Sequence, residues 1–399
     1  MSREPSGGSG PAKLRAAAWA GMFVFGIVMA VLGAVLPSLF ERIGFGEAAA
    51  GTLFLTMNFA MLVMTLAFGP LVDRFGFKAL LAVCALLVAG AFLALGLAPS
   101  YGLVMAAAVV LGFGGGGLNG GTNALTSDIN PANRGAALNL LGIAFGFGAL
   151  TVPFLIGALL RSLGLRTILL LATLLSLVPL TLFVVFRFPK AKQAQGFPLR
   201  QAARVVGHPL LWLCAFLLFF QSGNEFTAGG WLSTHLQKTY HVAPPAAALV
   251  LAGYWAAVMA GRLLSARLGK RLSGERMALS GAALALAAAA ILVLAPSGPL
   301  AMAGAVALGL GFATIYPTVL AVVGESFPDF TGTAFSVVIS VGLAGGMVAP
   351  WLVGRIAQAS SLRQGFLVPV ANCAMVLVLL ALVRRRTKAA LAGSYARRC

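Results

Sequence analysis

Runs of about 20 apolar residues recur along this 399-residue chain, separated by short clusters of charge, Pro and Gly. Each run is long enough to cross a bilayer as a helix, because a hydrocarbon core of about 30 Å takes about 20 residues at 1.5 Å each. Between the interruptions, spans are predicted near residues 16–40, 49–70, 78–97, 101–124, 135–160, 166–187, 209–236, 245–267, 276–295, 298–322, 333–355 and 364–384. An all-α polytopic membrane protein of twelve helices follows. Composition agrees: 60% of the residues are hydrophobic and 9% charged, against about 25% charged in soluble domains. Soluble enzyme folds and disorder are excluded, and so is an outer-membrane barrel, whose strands alternate over about ten residues.

The net charge of +19 would suggest nucleic acid in a soluble domain. Here it tracks topology. With the N-terminus inside, all but six of the 28 Lys and Arg residues fall on the inner side, the exceptions being Arg42, Arg161, Arg166, Lys238, Arg355 and Arg363. The positive-inside rule then places both termini in the cytoplasm and the chain in the cell inner membrane, and no nucleic acid is expected as a partner. The first fifteen residues are polar and carry no small-residue cleavage site after a short apolar stretch, so the first apolar run is expected to stay as a helix. Cys84, Cys214, Cys373 and Cys399 have no metal-ligand spacing, and no cofactor or metal is expected. His208, His235 and His241 flank spans and read as loop residues.

The longest polar connection, residues 187–209, separates six spans from six. The expected organisation is a cytoplasmic tail (1–15), a six-helix bundle (16–187), a linker (188–208), a second bundle (209–384) and a basic tail (385–399). Residues 199–206 read either as a short interfacial helix or as a solvated basic loop. Shifting the second half onto the first by 197 residues, without gaps, pairs Gly112 with Gly309, Gly114 with Gly311, Asp128 with Glu325, Pro131 with Pro328, Gly135 with Gly332, Gly148 with Gly345, Pro153 with Pro350 and Gly157 with Gly354. Six spans inserted twice from the same side are parallel repeats about an axis along the membrane normal.

GPLVDRFGFK, Gly69 to Lys78, lies on the inner side between spans two and three. Asp73 works against an otherwise basic surface, beside Arg74 and Lys78, where the N-terminal end of another helix can receive it. The stretch closely resembles the signature loop of the major facilitator superfamily, G-x-L-x-D-R-x-G followed by two basic residues, with Phe77 in place of the first. ARLGKRLS, from Ala266, is its degraded copy in the second half, keeping Arg271 and carrying Lys270 at the Asp position. Three longer stretches are similar to fucose-permease-type sugar:proton symporters: LNLLGIAFGFGALTVPFLIG from Leu138, FFQSGNEFTAGGWLSTHL from Phe219 and GLGFATIYPTVLAVVGESFPDFTGTAF from Gly309. The departures are Asn119 where such symporters often carry an acid, a first span without any acid, and Gly142 after LNL. The resemblance implies a major facilitator fold, two pseudo-symmetric bundles, and a gate at the inner surface formed by Gly69, Asp73, Arg74, Gly76, Arg134, Asn139 and Arg271.

Glu225 stands out without any resemblance. Pro209 suits a first helical position, and 16 residues further on is about 24 Å along the axis, slightly past the midplane. A carboxylate there is expensive and marks function, so Glu225 is the expected site of proton coupling. Gln221 and Asn224 share its face at i, i+3, i+4 spacing, and Trp231 follows at one to two turns. Asn58, Asn119 and Asn123 in the first half, with Tyr254, Trp255 and Tyr316 in the second, complete the expected substrate-binding set. GFGGGG, Gly112 to Gly117, formally fits a dinucleotide pattern but lies in an apolar span, where it reads as a packing surface.

The function expected is secondary transport of a small solute by alternating access, as a monomer. Proton-coupled uptake of a sugar-like solute leads, with proton-driven efflux of an amphipathic compound as the alternative. A membrane-embedded enzyme would need clustered acids, histidines or a metal site, and nine dispersed acids do not supply them.

Overall fold

The computed structural model describes residues 10–130, 134–188, 206–268, 272–327 and 331–396, and every regular element among them is a helix. Asp73, Arg134 and Asn139 are described as backbone only, while Arg271 and the 199–205 segment lie outside the described residues. The helices are α1 (Pro11–Ile43), α2 (Glu47–Leu97), α3 (Tyr101–Ile129), α4 (Arg134–Val185), α5 (Pro209–Tyr240), α6 (Pro244–Leu268), α7 (Gly274–Leu294), α8 (Gly298–Phe312), α9 (Ile315–Ser326), α10 (Thr331–Ala359), α11 (Leu362–Gly365) and α12 (Leu367–Ala396).

Two expected loops shrink to a single residue. α2 and α4 each hold two spans separated only by Gly76 (φ 76°) and Gly164 (φ 71°). Both take a backbone conformation that a Cβ would penalise, which is why glycine stands there. Conversely the tenth span is split into α8 and α9, where Ala313 N–H bonds back to the Leu310 carbonyl as a tight turn and the Thr314 hydroxyl donates to the Met277 carbonyl at 3.2 Å. Ten segments are long and apolar enough to cross a membrane by length and composition, one of them, Leu140–Val185, running through the Gly164 break. α5 is not among the ten because Gln221, Ser222, Asn224, Glu225 and Thr227 dilute its centre. Dividing Leu140–Val185 at Gly164 and adding α5 brings the described spans to the twelve expected.

The chain divides into two compact units, Met1–Gln195 with Ala243–Ala252, and Gly196–Val242 with Gly253–Cys399. Inside each, the offset of 197 reappears as contact geometry. A Cβ on Gly112 would fall on the Met57 carbonyl, and one on Gly309 on the Tyr254 carbonyl, the same pair 197 residues later. Gly114 lies against the Cys84 carbonyl and Val88 amide, Gly311 against the Gly281 carbonyl and Ala285 amide. Close backbone approach is how helices associate where burial of apolar surface offers no net drive, since lipid is as apolar as Leu. Gly115 and Gly116 of the same run face Val28 and Met61, so the GFGGGG stretch is a packing surface on several sides. Leu66, Leu86, Phe147, Leu174 and Val185 are exposed, as lipid-facing side chains are.

One matched pair of carbonyls is served by unlike donors. In the first unit Arg42 donates to the Leu95 and Gly96 carbonyls at 2.8 and 3.1 Å. In the second, the Leu292 carbonyl, equivalent to Leu95, accepts from His235 Nε2–H and from the Tyr240 hydroxyl, each at 2.8 Å. A carbonyl only accepts, so His235 carries its proton on Nε2. This corrects the reading of His235 as a loop residue: α5 runs to Tyr240, not 236, and the imidazole is fully buried, stacked on Phe366 with ring centroids 3.9 Å apart. His208 and His241 are the caps of the same helix, His208 Nδ1 accepting from the Leu210 amide and His241 turning the chain at φ 53°.

Candidate functional site in the second bundle

The centre of α5 carries the chemistry. Gln221 Nε2 donates to Glu225 Oε1 at 2.9 Å, one turn apart as their spacing predicts. Asn224 turns to α12 and donates to Cys373 Sγ at 3.3 Å. Trp231, fully buried, donates through its indole N–H to the Pro350 carbonyl of α10 at 2.9 Å. That carbonyl belongs to a helix-interior proline, so the contact ties α5 to a position where α10 is weakened. Trp231→Phe removes the donor and replaces a fully buried indole by a smaller ring, leaving the Pro350 carbonyl unpaired beside a cavity. It should lower the unfolding free energy by about 2–3 kcal/mol, as measured by thermal unfolding in detergent.

α6 and α9 face the same chemistry. Tyr254 is fully buried, its ring 5.1 Å from Trp255 and 6.4 Å from Phe312. Gly229 leaves the room that the Trp255 ring occupies, a packing role for the Gly229-Gly230 pair in a helix that runs unbroken. The charge on Glu225 acts electrostatically on Tyr254 and on Tyr316, and so does that of Arg262, whose cation also acts on Glu225. Glu225, Tyr254, Arg262 and Tyr316 therefore form one electrostatic cluster in the second unit. Sequence reasoning missed Arg262. The positive-inside count places it among the inner-surface cations, although the predicted span 245–267 encloses it.

Several polar atoms of this cluster are buried with no protein hydrogen-bond partner among the described residues: Gln221 Oε1, Asn224 Oδ1, Tyr254 OH and Arg262 Nε, with Thr227 Oγ1 further along α5. A buried polar atom without a partner costs about 1–3 kcal/mol. Natural chains keep such groups where water or a ligand completes them. Two of the four are pure acceptors, one is a hydroxyl and one a cationic donor, which together suit a solute rich in hydroxyl groups.

The first unit offers less. Asn58 is buried, its amide donating to the Phe54 carbonyl at 2.8 Å and its Oδ1 unpartnered. Asn123 Nδ2 donates to both the carbonyl and the Oδ1 of Asn119, at 2.8 and 2.9 Å, so this pair largely satisfies itself. Of the gating set, Gly69 and Gly76 have open space around them, and Arg74 lies 5.3 Å from the Phe75 ring. Among the described residues no cluster of His, Cys, Asp or Glu is arranged to hold a metal ion.

Relatives carry the same architecture. An uncharacterized MFS-type transporter of Yersinia pestis is 25% identical over 350 residues, covering 86% of this chain and 89% of that one. An uncharacterized transporter of Sinorhizobium fredii is 22% identical over 376 residues, covering 90% and 95%. Among solved structures, a D-xylose-proton symporter superposes with a TM-score of 0.77 at 17% identity over 93% of this chain and 97% of that one. The nucleoside transporter NupG superposes with a TM-score of 0.72 at 13% identity, over 95% and 99%. At these identities the superpositions speak for the fold. The Major Facilitator Superfamily model matches residues 18–223 and again 211–397. With both halves matched in turn, and the repeat visible in their glycine contacts, the chain belongs to the Major Facilitator Superfamily and is a transporter rather than a catalyst.

Proposed function

We propose that this transporter takes up a small, hydroxyl-rich, sugar-like solute together with a proton, working as a monomer by alternating access in the cell inner membrane. The observation that carries the reading is Glu225: the one acid deep within a described span, hydrogen-bonded to Gln221, whose Oε1 is buried and unpartnered, and acting electrostatically on the buried, unpartnered Tyr254 hydroxyl. A carboxylate sealed from water favours its neutral form and one opened to water its ionised form, so an alternating site loads a proton on one side and releases it on the other. The three stretches similar to fucose-permease-type symporters support sugar-like chemistry, as does likeness in fold to a D-xylose-proton symporter. Asn58, Asn119 and Asn123 of the first bundle are proposed as solute-binding residues, and Gly69, Asp73, Arg74, Gly76, Arg134, Asn139 and Arg271 are proposed for the inner gate.

The reading is tested in proteoliposomes with an acidic exterior and a panel of radiolabelled monosaccharides and their derivatives. Uptake above the equilibrium level, abolished by a protonophore, is expected for at least one of them. Extrusion of an amphipathic fluorescent dye under the same gradient, with no sugar derivative moved, would favour efflux instead. Orientation is tested separately. A cysteine replacing Lys238 should react with an impermeant maleimide added outside, and one replacing Lys192 should react only after the membrane is opened. The reverse pattern overturns the placement of both termini in the cytoplasm.

A further inference from the structure

Five or more residues inside the predicted spans, the described part of the second bundle holds one acid and one cation, Glu225 on α5 and Arg262 on α6. Their depths match. Arg262 is 18 residues past Pro244, about 27 Å along α6, and Glu225 is 15 residues before Tyr240, about 23 Å along α5, so the two lie within about one helical turn of the same depth. Among the described residues, Arg262 is within ion-pair contact of no acid. The described residues contain an ion pair between Arg384 and Glu275 at 3.7 Å, part-exposed and separate from Arg262. Arg262 Nε is buried without a hydrogen-bond partner, yet the guanidinium and Glu225 act on one another electrostatically. The remaining ionisable groups around Glu225 are Tyr254 on α6, Tyr316 on α9 and, beyond Asn224, Cys373 on α12. None of them carries a charge at neutral pH.

Resting on the proton reading of Glu225, this arrangement constrains the solute's charge. With Glu225 ionised, the two charges sum to zero. Once Glu225 takes a proton from outside water and becomes a neutral acid, Arg262 stays positive, as guanidinium does throughout the accessible pH range, and a cation without a counter-charge is costly in this setting. A solute that supplies one negative charge relieves that cost. The planar guanidinium fork matches a carboxylate in particular. Gln221 Oε1, Asn224 Oδ1 and Tyr254 OH remain to receive hydroxyl groups. We propose that the solute is a hydroxylated monocarboxylate, a sugar acid, whose carboxylate replaces Glu225 as the counter-charge of Arg262 when Glu225 is protonated. One proton and one monoanion enter together, so the cycle moves no net charge. On the inner side the proton returns to water, the carboxylate leaves, and Glu225 is again the counter-charge. A dicarboxylate brings a second charge for which no second cation lies as far inside the predicted spans among the described residues, and a neutral polyol leaves Arg262 uncompensated.

The test uses the full chain in proteoliposomes, acidic outside, with three probes of one carbon skeleton: D-gluconate, D-glucitol and D-glucarate. Accumulation of D-gluconate is expected, unchanged when the membrane potential is set to zero with valinomycin and potassium. The initial uptake rate of D-gluconate, well below saturation, should exceed that of the other two by roughly 30-fold or more, the effect of leaving a partly buried charge unpaired. Arg262→Gln should abolish that preference, and Arg262→Lys should retain part of it. If the Gln variant does not fold, the Lys variant and stabilisation of the parent protein by D-gluconate in thermal unfolding carry the test. Proton-driven accumulation of D-glucitol or of neutral sugars, undiminished in Arg262→Lys, would overturn the sugar-acid assignment while leaving Glu225 as the proton site. D-Gluconate that binds and exchanges through Arg262 but is indifferent to the pH difference would overturn the coupled replacement and the proton reading together. Absence of both binding and flux of D-gluconate would overturn the proposal outright.

Discussion

Glu225→Gln should abolish accumulation driven by a pH difference while solute still exchanges down its own gradient. The substitution keeps the length and the hydrogen-bonding capacity of the side chain toward Gln221, whose amide donates to Glu225 at 2.9 Å, and removes the one group at that depth able to exchange a proton. For a carrier moving one proton per solute, each unit of pH difference is worth about 1.4 kcal/mol and sustains at most about tenfold accumulation. In the mutant that ratio should fall to one at every gradient. Counterflow, in which solute already inside accelerates entry of labelled solute, needs no proton and should persist. A mutant that still concentrates solute with the pH difference as its sole energy source would return Glu225 to a structural role, a core carboxyl held by Gln221.

Gly112→Ala and Gly309→Ala should be among the most damaging one-carbon changes in the spans. The added methyl would land on a backbone carbonyl, that of Met57 in one half and Tyr254 in the other, and a backbone atom cannot step aside as a flexible side chain can. Overpacking of this kind costs about 1–3 kcal/mol, and more where helices must separate. Gly90→Ala is the matched control, because nothing lies within 4 Å of its added methyl. It should be neutral or stabilising by about 0.5–1 kcal/mol, the usual gain from Gly to Ala in a helix. Thermal unfolding in detergent, with yield after size exclusion, ranks the three. If Gly112→Ala and Gly309→Ala unfold no earlier than the control, the close approach of these helices does not hold the bundles together.

What the sequence disclosed and what it concealed follow from how each residue makes its contact. The spans and the repeat were legible because apolar runs and glycines are read from identity alone: Gly112 and Gly309 had to be small whatever they touched. Glu225 was legible because an acid has no bland reason to sit in a span, and Asn119 with Asn123 because contact between residues four apart is local to one helix. Arg262 was hidden by the rule that settled the topology, which counts every cation near a span's inner end without asking where its guanidinium goes. His235 was hidden by a boundary error of four residues, since its partners Leu292 and Phe366 are distant in sequence and nothing local to it marks burial. Asn224 was assigned to the face of Glu225 by its spacing, yet its amide is directed to Cys373, 149 residues away, a partner that helical periodicity does not foresee.

The two halves close matched carbonyls with different donors, a guanidinium at Leu95 and an imidazole with a phenol at Leu292. After a gene duplication, the two kinds of constraint seen here age at different rates. A carbonyl asks only for a proton donor, so a new donor can arrive on a neighbouring turn, share the acceptor for a time as His235 and Tyr240 do, and release the ancestral one. A glycine against a backbone asks for empty space, and no second residue can supply emptiness on its behalf. Drift therefore erases the polar fastenings of such a chain long before its voids. A designer exchanging one half for its counterpart would have to transplant each donor with its carbonyl, whereas the glycine positions would already match.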